Sequence, residues 1–125
     1  MIIKIITNTD IPIFQQIVGQ MKQAISTNKL KTGEKLPSVR ELSEQLSVNP
    51  NTVQKAYAEL ERSGVLETRK GIGAFVCSPS RKLSEAEKKE RMSSHIQNLV
   101  AEAKIAGCDK EKVILWLTEG FGSNE

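Results

Sequence analysis

Three residues separate two short amphipathic segments near the middle of the chain, and this spacing restricts the fold more than any other feature. Ser38, followed by Glu41 three residues later, forms a capping box that predicts the start of one helix. Residues 47–49 leave room only for a tight turn, after which Asn49 can cap a new helix with Pro50 at its first position. Two helices joined in this way form a helix-turn-helix.

Apolar residues recur at helical spacing in both segments and in an earlier one. The earliest helix begins just after Pro12, and residues 28–36 then form a loop. The helix after the turn runs to about Ser63, where Gly64 provides a stop. The predicted inward-facing residues are Ile13, Phe14, Ile17, Val18, Met21, Ala24 and Ile25 in the first helix, Val39, Leu42 and Leu46 in the second, and Val53, Ala56, Tyr57 and Leu60 in the third.

A β-hairpin is predicted directly after the third helix. Residues 65–68 and 74–77 have the composition of two strands, and the basic, glycine-containing residues 69–73 join them. A helix, a helix-turn-helix and a hairpin in this order make a winged helix. The predicted fold class is therefore mainly α with a small β-hairpin (α+β), with the winged helix-turn-helix domain at residues 1–80.

A break at residues 78–80 precedes a tail of two further predicted helices, residues 81–125. Ser84 opens a second capping box, Gly107 ends the first tail helix, and Asp109 caps the last one. Two amphipathic helices this short cannot build a core alone, so they must pack on the winged domain, pair with a second subunit, or do both. We favour pairing into a homodimer. The expected interface residues are Ile96, Leu99, Val100, Ala103, Val113, Trp116 and Leu117.

The positive charge of the chain is concentrated in the winged domain. The net charge is +3, and residues 1–80 hold ten basic and seven acidic residues, whereas residues 81–125 hold eight of each. An excess of this sign suits contacts with phosphate. In a helix-turn-helix, the exposed amino-terminal half of the second helix enters the DNA major groove. The amide, hydroxyl and cationic side chains of the third helix therefore predict double-stranded DNA as a partner.

The predicted base contacts come from the helix-turn-helix. Asn51 and Gln54 suit adenine edges, and Lys55 suits a guanine or a phosphate. Thr52 suits either a base or the backbone, and Arg40 can reach the edge of the groove. Each of these side chains could instead form a solvated face. Their occurrence together with the turn and the wing favours DNA.

The predicted phosphate and minor-groove contacts lie at helix starts and at the hairpin tip. The positive ends of the two helix dipoles favour phosphate at the backbone amides near Ser38 and Asn49. Arg69 and Lys70 at the tip are expected to enter the flanking minor groove. An alternative is that these two cations only prevent edge-to-edge pairing of an exposed hairpin.

Four sequence blocks resemble those of the GntR family of bacterial regulators. In order along the chain they are PIFQQI at 12–17, GEKLPSVREL at 33–42, VNPNTV at 48–53 and GIGAFV at 71–76. The resemblance covers residues 10–77 and implies a winged helix-turn-helix regulator of transcription that binds an operator. The short tail is similar to the YtrA subfamily, in which the tail dimerises and the genes often regulate transporter operons.

The resemblance also implies which residues contact DNA. The positions that commonly do so in the family correspond to Arg40, Asn51, Thr52, Gln54, Lys70 and Gly71. Asn28 and Thr32 stand where a glycine and a proline are usual, and Ala74 replaces a usual Thr or Ser. Asparagine tolerates left-handed backbone angles, so we expect Asn28 to preserve the turn. We expect Ala74 to remove a hydroxyl that faces phosphate.

Other functions find less support in these residues. An enzyme would need a clustered acid, base or nucleophile, and His95 is the only histidine, so we expect no catalytic residue, metal or cofactor. Cys77 and Cys108 are expected to be isolated reduced thiols. A protein-interaction module is the alternative to DNA binding, because winged helices are also reused for protein contacts. Whether a small effector binds stays open.

No stretch of the sequence approaches the ~20 apolar residues of a membrane span. The first residues also lack the length and cleavage pattern of a signal peptide. We therefore expect no membrane partner and a cytoplasmic location.

Overall fold

In the computed structural model, which describes residues 3–77 and 83–122, five helices and one hairpin follow the predicted order. The elements are α1 (Ile13–Ser26), α2 (Val39–Leu46), α3 (Pro50–Arg62), β1 (Leu66–Arg69), β2 (Gly73–Val76), α4 (Glu85–Ala106) and α5 (Lys110–Phe121). The chain divides into two compact units, Met1–Arg81 and Lys82–Glu125. The break predicted at residues 78–80 lies outside the described residues. The predicted fold class is confirmed.

One apolar core holds the three helices and the hairpin of the first unit together. Its largest fully buried side chains are Ile17 and Met21 of α1, Leu42 of α2, Val53 and Leu60 of α3, and Val76 of β2. Every inward-facing residue predicted for the three helices belongs to this core or packs partly buried against it, so that prediction is confirmed. Burial of these side chains is the main source of stability for the unit.

Short polar side chains set the helix boundaries as predicted. Ser38 and Ser84 each form a complete capping box, with Glu41 and Glu87 respectively. Asn49 caps α3, with Pro50 at the first helical position. The prediction for Asn28 is also confirmed, because this residue has a left-handed φ of 62° in the loop after α1.

A buried hydrogen bond joins the two helices of the helix-turn-helix. The Tyr57 hydroxyl on α3 donates to the carbonyl oxygen of Pro37, 2.6 Å away, one residue before the cap of α2. Tyr57 is 8% exposed, so its hydroxyl is largely shielded from competition by water. The bond therefore fixes the start of α2 relative to the middle of α3.

Each strand of the hairpin lies one residue closer to the turn than predicted. β1 pairs with β2 from Leu66 opposite Val76 to Arg69 opposite Gly73, so the turn is residues 70–72 rather than 69–73. Val65 and Cys77 lie outside the strands, although the Cys77 N–H still donates to the Val65 carbonyl. The strands extend towards the turn because Arg69 pairs with Gly73. The register is the one that the predicted strands imply, with Thr68 opposite Ala74, and it buries Leu66 and Val76 on the core face.

The loop before α2 pairs with the outer edge of β2, which the sequence pattern did not predict. Lys35 forms an isolated bridge to Phe75. The Gly33 and Leu36 N–H groups donate to β2 carbonyls at 2.8 Å each. The same register buries Ala74, so the expectation that position 74 faces phosphate was wrong.

Two glutamine side chains hold an extended segment at the start of the chain against α1. Gln20 accepts from the Lys4 N–H at 2.9 Å and donates to the Lys4 carbonyl at 2.7 Å. Gln16 does the same for Ile6 at 2.8 and 2.9 Å. The segment completes the core, because Ile3 is buried.

The two tail helices form the second unit. Gly107 ends α4 with a left-handed φ of 74°, and Asp109 caps α5 by accepting from the Lys112 N–H at 2.9 Å, as predicted. No residue of α4 or α5 is buried. The exposed large apolar side chains of this unit are Met92, Ile96, Leu99, Val100, Ile105, Ile114, Leu115, Trp116, Leu117 and Phe121. None of the described helices combines the length and hydropathy that crossing a lipid bilayer requires.

Tyr57 should stay protonated for as long as the first unit stays folded. Burial, and more weakly the charge of Glu41, raises the pKa of its hydroxyl far above the usual 10.0. The unfolded chain releases this proton near pH ~10. The stability that Tyr57 contributes is therefore complete below that pH and is lost as the pH rises above it. Tyr57 is the single tyrosine, so we expect its tyrosinate absorbance to appear only together with loss of helical circular dichroism.

The matched control for this titration is Tyr57→Phe. It should lower the free energy of unfolding at neutral pH by about 1 kcal/mol, because the buried hydrogen bond is lost. It should also remove part of the alkaline loss of stability. A tyrosinate signal that titrates near pH ~10 while the helices remain intact would contradict the burial of this side chain.

Candidate nucleic-acid interface

The outer face of α3 presents polar side chains from the amino-terminal half of the helix. Val53, Ala56, Tyr57 and Leu60 turn the opposite face into the core. Asn51, Gln54 and Lys55 are exposed, and Thr52 is half-buried beside them. Ala58, which the sequence analysis did not single out, is exposed one turn further along. The predicted base-contacting residues of α3 thus lie together on one accessible surface.

The start of α3 is fixed by Asn49. Its side-chain oxygen accepts a hydrogen bond from the Asn51 N–H at 2.8 Å. That oxygen therefore serves the helix cap, and the residue positions Asn51 at the first exposed turn. Pro50 has no N–H to leave unpaired at this point.

The start of α2 combines a capping box with two available amides. The Ser38 N–H donates to Glu41 at 2.9 Å, and the Glu41 N–H donates to the Ser38 hydroxyl at 3.0 Å. Hydrogen bonds from Ser38, its backbone N–H first, hold the pKa of Glu41 below its usual range. None of the hydrogen bonds among residues 3–77 and 83–122 uses the N–H of Val39 or Arg40. Arg40 itself is exposed.

The hairpin carries the predicted wing residues, with different surroundings for each. Lys70 and Gly71 lie in the turn, where Gly71 has a left-handed φ of 79° that suits a residue without a Cβ. Arg69 instead lies at the end of β1, with its guanidinium 4.2 Å from the centre of the Phe75 ring. It also forms an ion pair with Glu67 at 2.7 Å. Lys70 is therefore more available to a ligand than Arg69.

Lys55, the last of the predicted DNA-contacting residues on α3, forms a cation–π interaction. The Lys55 ammonium lies 4.1 Å from the centre of the Phe14 ring on α1. Lys55 remains exposed, so the ring limits its conformations without removing it from solvent.

A model of the GntR family of bacterial regulatory proteins matches residues 13–76, which is more than half of the chain. The chain belongs to the GntR family. That stretch begins at α1 and ends at the last residue of β2, so it covers the three helices and the wing. The family assignment made from the four sequence blocks is confirmed.

Individual GntR proteins resemble the chain over different lengths. The HTH-type transcriptional repressor YtrA of Bacillus subtilis strain 168 is 38% identical over 117 residues, which cover 94% of this chain and 90% of that protein. The match therefore includes the tail, in agreement with the resemblance to the YtrA subfamily.

Two solved structures extend this comparison. The crystal structure of a transcriptional antiterminator from Listeria monocytogenes EGD-e has a TM-score of 0.82 and 34% identity, over 95% of this chain and 89% of that one. The AraR DNA-binding domain in complex with operator ORX1 has a TM-score of 0.52 and 28% identity, over 58% of this chain and 87% of that one. The aligned part of this chain thus shares its fold with a domain solved on operator DNA.

The sequence analysis missed the partners of its predicted cations. Glu67 is two residues before Arg69, and this spacing places both on one face of a strand, so the pair could have been found from the alternation alone. Phe14 has no such local signal, because it lies on another helix and meets Lys55 only through the fold. The pairing of Lys35 with Phe75 of β2 is likewise a long-range contact.

The two asparagines at the start of α3 should respond differently to truncation. Asn49→Ala should lower the free energy of unfolding by about 1 kcal/mol, because the helix loses its cap. Asn51→Ala should change it by less than about 0.5 kcal/mol, because only an exposed side chain is removed. Urea unfolding monitored by circular dichroism measures both. Equal destabilisation by the two variants would mean that the Asn51 side chain supports the fold and is not reserved for a ligand.

Proposed function

We propose that this GntR protein is a homodimeric, sequence-specific DNA-binding regulator that represses transcription from an inverted-repeat operator. The observation that carries the proposal is the exposed polar face at the capped start of α3, in a helix-turn-helix that continues into a basic wing. The AraR complex with operator DNA supports DNA as the partner for this fold. The polar character of the face favours DNA over a protein-interaction module, because the buried centre of a protein interface is more apolar than the rest of the surface.

Direct base recognition falls to the exposed residues of α3. Asn51 and Gln54 can each donate to and accept from an adenine edge in the major groove. Thr52 is half-buried, which suits a contact to the backbone or to a base methyl group. Lys55 adds a charge at the groove edge. Arg40 and the available amides at the start of α2 suit the neighbouring phosphates.

The wing extends the contact beyond the major groove. Lys70 and Gly71 lie at its turn, where a small residue permits close approach to the minor groove. Arg69 contributes a charge that Glu67 partly neutralises. Ser38 and Asn49 act mainly through the helix starts that they cap.

The tail is proposed to pair two subunits. An apolar cleft of about 390 Å³ lies between α4 and α5, and five of the seven expected interface residues line it. Those five are Leu99, Ala103, Val113, Trp116 and Leu117. Ile96 and Val100 continue the apolar face along α4, half-exposed at 54% and 45%. So much contiguous apolar surface favours burial against a symmetric copy.

Repression follows from occupancy of a promoter by such a dimer. The B. subtilis relative is named a repressor, and the YtrA resemblance suggests a transporter operon as the target. The protein would act in the cytoplasm, where bacterial DNA is located.

DNA binding should be specific and sensitive to salt. Fluorescence anisotropy with the DNA upstream of the protein's own gene, against scrambled DNA, should give a preference of about a hundredfold or more that weakens steeply with salt. Asn51→Ala should relax the base preference at one operator position, whereas Lys70→Ala should weaken all sequences equally. A uniform loss for Asn51→Ala would remove that residue from base recognition. No binding to either DNA at low salt would favour the protein-interaction module.

Dimerisation should depend on the tail cleft. Leu117→Asp should convert the dimer to a monomer in light scattering, because a buried, unpaired carboxylate is costly at an apolar interface. Ile105→Asp is the matched control, since Ile105 is apolar and 87% exposed but does not line the cleft. A dimer that persists in Leu117→Asp, or is lost equally in the control, would contradict this interface.

A further inference from the structure

The exposed face of the wing is wider than the hairpin alone, because the loop before α2 contributes Lys35. Phe75 of β2 lies opposite Glu67 of β1 on one side and opposite Lys35 on the other. Residues at the same register of a sheet share a face, as do residues two apart along a strand. Lys35, Phe75, Glu67 and Arg69 therefore belong to one face, while Leu66, Ala74 and Val76 are buried on the other.

The Lys35 side chain crosses this face towards the hairpin turn. A Cβ added at Gly73 would lie 2.9 Å from the Lys35 Cε atom and 3.8 Å from its Nζ atom. Gly73 is paired with Arg69 at the last position before the turn. The ammonium of Lys35 thus lies at the turn end of the wing, over Gly73, which has no side chain to displace it.

The charges on this face are unequal in their availability. Arg69 is paired with Glu67 and stacks on Phe75. The ion pairs among residues 3–77 and 83–122 include no partner for Lys35. The charge of Lys35 is the weakest of the causes that lower the pKa of Glu41. Lys35 is exposed, so its charge is available to an anion beside the wing.

We propose that Lys35 is a further DNA-contacting residue, which binds a backbone phosphate beside the wing along a path that Gly73 keeps open. This inference rests on the proposed DNA-binding function and adds a residue to its site. The contact is independent of sequence, because phosphate contacts position a protein on DNA without reading bases. Lys35 and Lys70 then supply the available wing cations, and Arg69 supports the hairpin.

The test is the salt dependence of binding by Lys35→Met, a change that keeps a methylene stem over Gly73 but removes the charge. The slope of log K against log salt should become shallower by about 0.9 for each Lys35 on the DNA, with base preferences unchanged. The control is Lys22→Met on α1. Lys22 lies near the carboxyl end of α3, away from Asn51. Its charge, more weakly than Arg62, lowers the pKa of Glu59 there. Lys22→Met should keep the wild-type slope.

A double-mutant cycle tests the role of Gly73. Gly73→Ala should weaken DNA binding in the wild-type background and have little further effect in Lys35→Met, because the added methyl group acts by displacing Lys35. Additive losses would mean that the alanine only strains the backbone, whose φ is 141° at this position, and would overturn the role given to Gly73.

The outcomes separate this inference from the function on which it rests. A wild-type protein with no salt-dependent binding to any DNA overturns the proposed function and the Lys35 contact together. Wild-type binding with an unchanged slope in Lys35→Met overturns the Lys35 contact alone. A slope reduced equally by Lys22→Met would show a general charge effect and would also overturn it.

Discussion

Burial of one stripe of α3 is the constraint on which the rest of the first unit depends. Val53, Ala56 and Leu60 are fully buried, so the rotation of α3 about its axis is fixed by the core. The Tyr57 hydroxyl then fixes α2 relative to α3 through the Pro37 carbonyl. With both helices fixed, the polar residues at the start of α3 have only one direction to face, which is outward.

Features that depend on neighbouring residues could be predicted from the sequence, and features that depend on distant ones could not. The caps at Ser38 and Asn49 and the left-handed Asn28 follow from local chemistry. Each strand lies one residue closer to the turn than predicted, because Arg69 pairs with Gly73, but the pairing of Thr68 with Ala74 is the one that the predicted strands imply. The predicted DNA face of α3 followed from the helical period.

Long-range structure gives the cations of the wing different surroundings. Arg69 and Lys70 are neighbours in sequence, yet the fold gives only Arg69 an aromatic ring and a carboxylate. Lys35 reaches the same surface from a loop that precedes α2. Composition alone gives these residues equal weight in phosphate binding, whereas their contacts divide them into supporting and available charges.

The central claim is that two α3 helices read an inverted repeat, and footprinting of the protein on the DNA upstream of its own gene tests it most directly. The account predicts two protected segments related by two-fold symmetry, with centres about one helical turn apart, and methylation interference in the major groove of both. A single unsymmetrical footprint, or protection without major-groove interference, would contradict it.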